Sequence, residues 1–386
     1  MAKPRIAIVG AGLGGLTLAL AFAKRGFPVT VYERTKVLGE VGAGITLWPN
    51  ANKPLFSLGL KDELARISEV PTEQAMWHFA TAEIFKRYPR GEAMWQAYGA
   101  PLYQIHRRDL HDMLIAAFQA EQPDAIQLGK EVVAVETNDT DATITFKDGE
   151  KVTADLVIGA DGIRSAVRKA LFGTEPAKFT GIVAWRALVP IERVPQRLRD
   201  TPAGMHIGPD RNVSHYTVRH GALYNYLGFA KVNTWEEEGW TIRAQVSQVL
   251  EVFKDFQPDI VNLIKATPEE GLYKWGLFDR DPTPQWTKGR ATLMGDAAHP
   301  MLPFLGQGAG MVIEDALVLA RAVAESADIP TALKRYEAAR KERANFTMLR
   351  SRAHADFWNT HPDQIRNVEP KMEVDLNVYD AVTVPI

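Results

Sequence analysis

The stretch IAIVGAGLGGLTLALAFAKRGFPVTVYER, residues 6–34, decides how the chain is read. Ile6 to Val9 is a short apolar run, as expected for a strand buried on both faces. Gly10-Ala11-Gly12-Leu13-Gly14-Gly15 follows at once and fits G-x-G-x-x-G. Leu16 to Lys24 reads as an apolar helix ended by Gly26. Phe27 to Tyr32 reads as a second strand, with Glu33 at its end. Gly10 permits a tight turn, Gly12 lets the backbone approach a pyrophosphate, and Gly15 lets helix and strand pack closely. The helix N-terminus offers free N–H groups and a positive dipole end to phosphates. Glu33, 18 residues past Gly15, can accept hydrogen bonds from a ribose. Strand, turn, helix, second strand and acid in this order predict a site for an ADP moiety. A glycine-rich βα turn without a ligand is the plainer alternative.

The 386 residues suffice for two domains or one large interleaved one. With 46% hydrophobic and 24% charged residues, the composition is that of an ordinary globular protein. A net charge of −2 gives no reason to expect nucleic acid or an anionic membrane as partner. MAKPR runs straight into a strand, which predicts no signal peptide. No apolar run reaches the roughly 18 residues of a membrane span. The absence of cysteine excludes disulfides, thiolate metal sites and a cysteine nucleophile. A cytoplasmic enzyme with no metal is the expectation.

Outward from residue 34, GEVGAGITLWPN (39–50) predicts a loop passing close to something bulky, or simply a flexible connection. Residues 51–68 read as one helix with Leu55, Leu58, Leu60 and Leu64 on its apolar side. Trp77, Phe79, Phe85, Tyr88, Trp95, Tyr98 and Tyr103 suggest strands of a second layer, serving either a ligand cavity or plain core. A helix opens near Arg107-Arg108. An arginine there opposes the helix dipole unless an anion is near, so one of the two can face a cofactor or else pair with Asp109 or Asp112. Residues 131–136, 142–146 and 151–158 read as strands. The last runs into Gly159-Ala160-Asp161-Gly162, where Asp161 either serves a ligand or caps the next helix. Alternating patterns over 181–230 imply a mainly antiparallel sheet. On it Tyr216 shares a face with Ser214 and Val218, while His215 faces the other way. Residues 241–265 and 331–358 read as helical and the tail 366–386 as irregular. Strand 291–294 runs into GDAAHPMLPFLGQGAGM, where two prolines stiffen a loop and a helix starts near Ala309, able to stabilise negative charge.

Three glycine-rich strand ends (10–15, 159–164 and 295–310) now stand together. With GAGITLWPN, IHRRDLH, Ala184-Trp185-Arg186 and GDAAHPMLPFLGQGAGMVIEDA, the chain resembles the single-component FAD-dependent aromatic hydroxylases over residues 5 to about 350, most of all salicylate hydroxylase-like members. The resemblance implies an α/β fold. A Rossmann-like FAD-binding domain of the p-hydroxybenzoate hydroxylase type would be interleaved with a mainly antiparallel β-sheet substrate domain and followed by a C-terminal helix. Residues 1–70, 101–175 and 285–350 would form the FAD-binding domain. Residues 71–100 and 176–284 would form the substrate domain, and 351–386 the helix end and tail.

By position, the resemblance implies that Gly10, Gly12, Gly14 and Gly15 hold the FAD pyrophosphate. Glu33 takes the adenosine ribose with Arg34 beside it. Arg107 reaches the FAD linker, the Val132 backbone meets the adenine, and Asp161 serves FAD and nicotinamide use. Asp296 binds the ribityl chain, and Ala309 and Gly310 present N–H groups to the flavin pyrimidine edge. NADH or NADPH would bind only transiently. The implied chemistry runs through a flavin C4a-hydroperoxide formed with O₂, which needs a closed apolar pocket. Thr46, Trp185, Pro303 and Phe304 are the expected pocket residues. The substrate would be a small hydroxylated aromatic acid whose phenol proton needs an acceptor.

The chain departs from a common pattern by carrying Asn212, not histidine, four residues before Tyr216. Tyr216 is the expected primary catalytic residue. His215 would act only if a bulge turned it inward, and Asn212 would bind the phenolate. Arg186 and Arg219 are the candidate partners of the substrate carboxylate, with a structural ion pair as the plainer alternative for each. Salicylate with oxidative decarboxylation leads, 3-hydroxybenzoate 6-hydroxylation follows, and a hydroxynicotinate-type substrate ranks lower. A larger-substrate monooxygenase and a flavin-binding module without turnover are the other readings. The chain is expected to be a monomer or homodimer.

Overall fold

A computed structural model describes residues 3–39, 42–173, 177–200, 203–233, 242–358, 361–366 and 375–386. Glu40 and Val41 of the glycine loop, Thr241 at the start of the expected 241–265 helix, and 367–374 of the tail lie outside the described residues. Two large sheets organise the rest. Ile6–Val9 is the pivot of the first, pairing in parallel with Leu156–Gly159 on one side and Val29–Glu33 on the other. Ala291–Leu293 and Ile126–Leu128 extend this sheet in parallel, and Thr287–Lys288 adds an antiparallel edge. All four residues of Ile6–Val9 are buried, as are all of the Leu13–Ala23 helix. That is what a helix apolar all round requires. It packs between the sheet and the Gly308–Glu325 helix.

The second sheet has eight strands, in the order 242–243, 273–279, 178–190, 223–231, 211–218, 203–208, 73–78 and 84–89. It is antiparallel except where 203–208 runs parallel to 73–78. Strand alternation gives it two different faces. One face buries Trp77, Trp185, Val213, Tyr224 and Tyr226 against the Val246–Phe253 and Pro258–Lys265 helices. The other carries Asn212, Ser214, Tyr216, Leu227 and Phe229 toward a cavity. The sequence segments 73–89 and 178–279 thus share one sheet, although 84 residues of the first layer's strands and helices, 90–173 of the described chain, run between them.

Several boundaries differ from the sequence reading. The expected helix over 51–68 is two, Pro49–Ser57 and Lys61–Ile67, because Gly59 takes φ +81° and turns the chain between them. The expected strand 151–158 is also two. Lys151–Ala154 pairs with Ala142–Phe146, and Leu156–Gly159 joins the large parallel sheet. Asp155 is the hinge, tied to Arg5 through both backbone and side chain. Trp95 and Tyr98 lie on a short helix, Glu92–Tyr98, not on a strand. Residues 241–265 hold a two-residue strand and two helices. In the tail, Leu376 and Ala381 are buried.

Glu314 and Asp315, adjacent on the Gly308–Glu325 helix, are fully buried, as is Arg340 on the Ile329–Trp358 helix. Arg340 forms an ion pair with both carboxylates, at 2.6 Å to Glu314 and, through a donated hydrogen bond, at 2.8 Å to Asp315. Arg343 adds a second pair of bonds to Glu314, and Asn50 a third contact at 2.6 Å. Asp315 also accepts from the Gly295 N–H and from His299. Burial opposes ionisation of Asp315, but His299 and Arg340 outweigh it and hold its pKa below the usual carboxylate range. Removing one member leaves uncompensated buried charge. Arg340→Met should therefore lower the unfolding free energy by about 3 kcal/mol or more, read as a shifted urea midpoint.

A second buried polar chain lies behind the eight-stranded sheet. His215 Nδ1 meets the Tyr224 hydroxyl at 2.6 Å, its Nε2 meets His206 Nδ1 at 3.2 Å, and His206 Nε2 meets the Gln257 amide at 3.2 Å. Burial lowers the His215 pKa to about 3, and that of His206 also falls well below its usual value. The unfolded chain, with histidine near ~6.5, binds more protons in between, so this stability is present above about pH 6.5 and lost as pH falls toward 3. Each histidine adds at most about 1.4 kcal/mol per pH unit. His215→Gln should flatten that slope in urea titrations between about pH 4 and 6.5.

Candidate active site

A cavity of about 890 Å³ opens between the two sheets, lined from both. Its first half is built at strand ends of the parallel sheet. Gly10, at φ +105°, makes the turn out of Ile6–Val9, and a side chain there would strike the Ala160 carbonyl. A side chain at Gly15 would meet the Gly10 carbonyl, and one at Gly14 would meet Val312 of the neighbouring helix. At Gly12 a side chain would meet nothing within 4 Å, and Gly12, Leu13 and Gly14 line the cavity. The Leu13–Ala23 helix begins there with no side-chain cap and no acid in its first turn. The same holds for the Gly308–Glu325 helix, whose Gly308 and Ala309 also line the cavity. Two helix N-termini thus face one space, each with unsatisfied N–H groups and a positive dipole end.

Around this cradle stand Arg107, first residue of the Arg107–Glu121 helix, and Asp296, first after Gly295. Asp296 is open to the cavity but surrounded by protein. This desolvation raises its pKa, while His299 and Arg107 pull it down. Glu33 accepts from the Ala11 and Thr35 N–H groups, at 2.9 Å each, and so braces the glycine turn from the end of its strand. The open face at Gly12, the paired helix ends, the cation and the acid fit a dinucleotide-type flavin cofactor.

The second half is the inner face of the eight-stranded sheet. Asn212, Ser214 and Tyr216 alternate along one strand and all line the cavity. Asn212 is 1% exposed and, among the described residues, its Nδ2 has no hydrogen-bond partner. The Tyr216 ring lies against Gly44, where any side chain would collide with it, and its hydroxyl bonds to Thr46. Burial pushes the Tyr216 pKa up despite that bond, so the phenol stays protonated near neutrality. Met301, Leu302, Pro303, Phe304, Leu227 and Phe229 close the apolar side.

Other expected site residues lie elsewhere. Trp185 is not a pocket residue: alternation puts it on the far face, edge-on to Phe253. His215 borders the cavity, but no bulge turns it inward, and both its ring nitrogens are bonded behind the sheet. Arg219 forms two bonds to Asp109, and Arg186 sits over the Tyr273 and Trp275 rings, so neither lines the cavity. Arg108 pairs with Asp112, so Arg107 is the one of these two at the cavity. Asp161 points into its own turn, accepting from Ser165, Ala166 and Val167, while Ala160 and Gly162 line the cavity in its place. Gly310 is the third residue of its helix, close to Asn50 and Gln307. Arg34 is exposed beside Glu33, and Val132 follows Lys130, whose N–H bonds the Glu33 carbonyl. Both are outside the main cavity.

The sequence reading also missed wall residues. Arg90 is one of them, and its signal is the alternation over Lys86, Tyr88 and Arg90, which sets it on the face of Tyr88. His354 on the Ile329–Trp358 helix and Asp375 to Asn377 of the tail had no local signal.

Comparison with known proteins supports what the geometry suggests. The FAD binding domain family matches residues 3–351. The chain is 36% identical to 3-amino-4-hydroxybenzoate 2-monooxygenase of Streptomyces platensis, over 91% of this chain and 87% of that one. It is 35% identical to 6-hydroxynicotinate 3-monooxygenase of Bordetella bronchiseptica, over 94% of each. Among solved structures, Klebsiella pneumoniae HpxO complexed with FAD and uric acid superposes with a TM-score of 0.83 at 26% identity, covering 94% of this chain and 95% of that one. A salicylate hydroxylase substrate complex superposes with a TM-score of 0.79 at 27% identity, covering 93% and 89%. The chain belongs to the FAD binding domain family and is an FAD-dependent aromatic monooxygenase.

Proposed function

We propose that this monooxygenase hydroxylates a small aromatic acid already carrying a ring hydroxyl, with NADH or NADPH as transient reductant and O₂ as co-substrate. The observation that carries this reading is the pairing of Asn212 and Tyr216 on one buried strand face, inside the cavity that the cofactor cradle opens into. Gly10, Gly12, Gly14 and Gly15, with Arg107, Asp296, Ala309 and Gly310 around them, would hold FAD, with Glu33, Arg34 and Val132 at its adenosine end. The bound flavin supplies the redox chemistry with O₂.

The chain's own residues have separable tasks. The unpaired Asn212 Nδ2–H donates to the ring oxygen and favours its ionised form, which makes the ring electron-rich. Tyr216, held protonated, hydrogen-bonds the same oxygen and relays its proton by way of the Thr46 hydroxyl to water. The wall from Met301 to Phe304 excludes water from the reacting centre. Asp161, bound into its own turn, shapes the strand end rather than touching cofactor. Salicylate, with decarboxylation, and 3-hydroxybenzoate head the candidates. The acids named for the two relatives, 6-hydroxynicotinate and 3-amino-4-hydroxybenzoate, join them, and all four carry a ring hydroxyl and a carboxylate.

The test is the FAD-loaded protein with NADH or NADPH and these four acids, following reductant loss and H₂O₂ together. One acid should give fast loss with little peroxide; no stimulation by any of them overturns the reading. With that acid, Tyr216→Phe should slow hydroxylation by about tenfold to a hundredfold and divert reductant to H₂O₂. Normal turnover and coupling in Tyr216→Phe would remove Tyr216 from the proton path.

A further inference from the structure

The proposed substrates carry a carboxylate, and the two arginines expected to receive it are engaged elsewhere. The substrate half of the cavity contains another. Arg90 directly follows the strand Ile84–Pro89 at the edge of the eight-stranded sheet, its N–H bonded to the Thr72 carbonyl. Its guanidinium lines the cavity, 5.4 Å from the Trp48 ring centre and 5.2 Å from that of Tyr88. One terminal nitrogen donates to Gln74 Oε1 at 3.1 Å and the other to the Pro89 carbonyl at 3.2 Å.

What it lacks is an anion. Among the described residues no carboxylate pairs with Arg90, and its buried Nε has no hydrogen-bond partner. The indole Nε1 of Trp48, on the same wall, is likewise buried without an acceptor. Asp375, the acid on this part of the wall, is turned away to the Tyr98 hydroxyl and the Asn377 N–H. A half-buried guanidinium with neutral neighbours is costly, as its lowered pKa reflects, and a cation on the cavity wall with no anion beside it matches a carboxylate. Arg107 is no substitute, since it stands beside Asp296 in the cofactor cradle.

We infer that Arg90, assisted by the Trp48 indole N–H, binds the carboxylate of the aromatic substrate and makes this enzyme selective for acids over neutral phenols. The inference rests on the proposed function, and the two can fail separately. The experiment titrates FAD-loaded protein with two matched pairs, salicylate against salicylamide and 3-hydroxybenzoate against 3-hydroxybenzamide. Binding is read from the perturbed flavin absorbance, and turnover from NADH loss. Arg90→Gln should weaken binding of the acid at least about tenfold while changing the amide less than about twofold, with FAD content unchanged. Arg90→Lys, which keeps the charge and not the planar fork, should recover part of the loss. Equal losses for acid and amide, or no loss for either, would overturn the inference and leave the monooxygenase reading standing. So would an unmutated enzyme that binds and turns over the amides but not the acids. If none of the four candidate acids binds, both the inference and the proposed substrate class fall.

Discussion

The structure depends on three charges placed where no water reaches them. Glu314 and Asp315 are neighbours in sequence, so they leave the Gly308–Glu325 helix in different directions. Arg340, at zero exposure, spans the gap between them. Each carboxylate also holds something beyond the helix pair. Asp315 fixes Gly295 and His299, where the loop toward Pro303 begins, and Glu314 fixes Asn50, which in turn bonds Gln307 where that loop ends. The loop that carries Asp296 on one side and the apolar wall on the other is therefore clamped at both ends by one ionic layer. Pairs of this kind are weak sources of net stability but exacting about geometry. Here the geometry they fix is that of the cofactor cradle relative to the substrate wall.

The large sheet divides its labour by alternation alone. Along 211–218, even positions carry Asn212, Ser214 and Tyr216 into the cavity, and odd positions carry Val213 and His215 into the rear core. A slip of one residue would exchange a hydrogen-bonding face for a sealed histidine pair. Pairing with both flanking strands, unbroken from Arg211 to Val218 on one side, fixes the register.

How much of this was legible in the sequence follows from the range of the interactions. The glycine turn at 10–15 is a local device with a fixed spacing, which is why its geometry is legible: Gly12 faces open space and a side chain at Gly15 would meet the Gly10 carbonyl. The two faces of 211–218 were readable from period alone, so the outward His215 was expected. Trp185 was misplaced because its neighbourhood was matched by resemblance rather than by counting alternation, which sets Ala184 on the other face. Asp161 takes the alternative weighed for it, accepting from the first turn of the following helix, while the partner of Arg219 is an aspartate 110 positions away, beyond the reach of a local reading. Arg90 could have been found, because it continues the face of Tyr88. The helix 51–68 was read through Gly59 because leucines on both sides fit one period. The relatives are monooxygenases, which sets aside a flavin-binding module without turnover.

The sealed histidines behind the sheet have a consequence for measuring the enzyme. Neither His206 nor His215 takes up a proton anywhere near neutrality in the folded chain. The backing of the substrate wall therefore keeps a constant charge over the whole range in which the enzyme can be assayed. An inflexion found near neutral pH in a rate profile reports the substrate, the cofactor or a group in the cavity, and not the scaffold one layer beneath it.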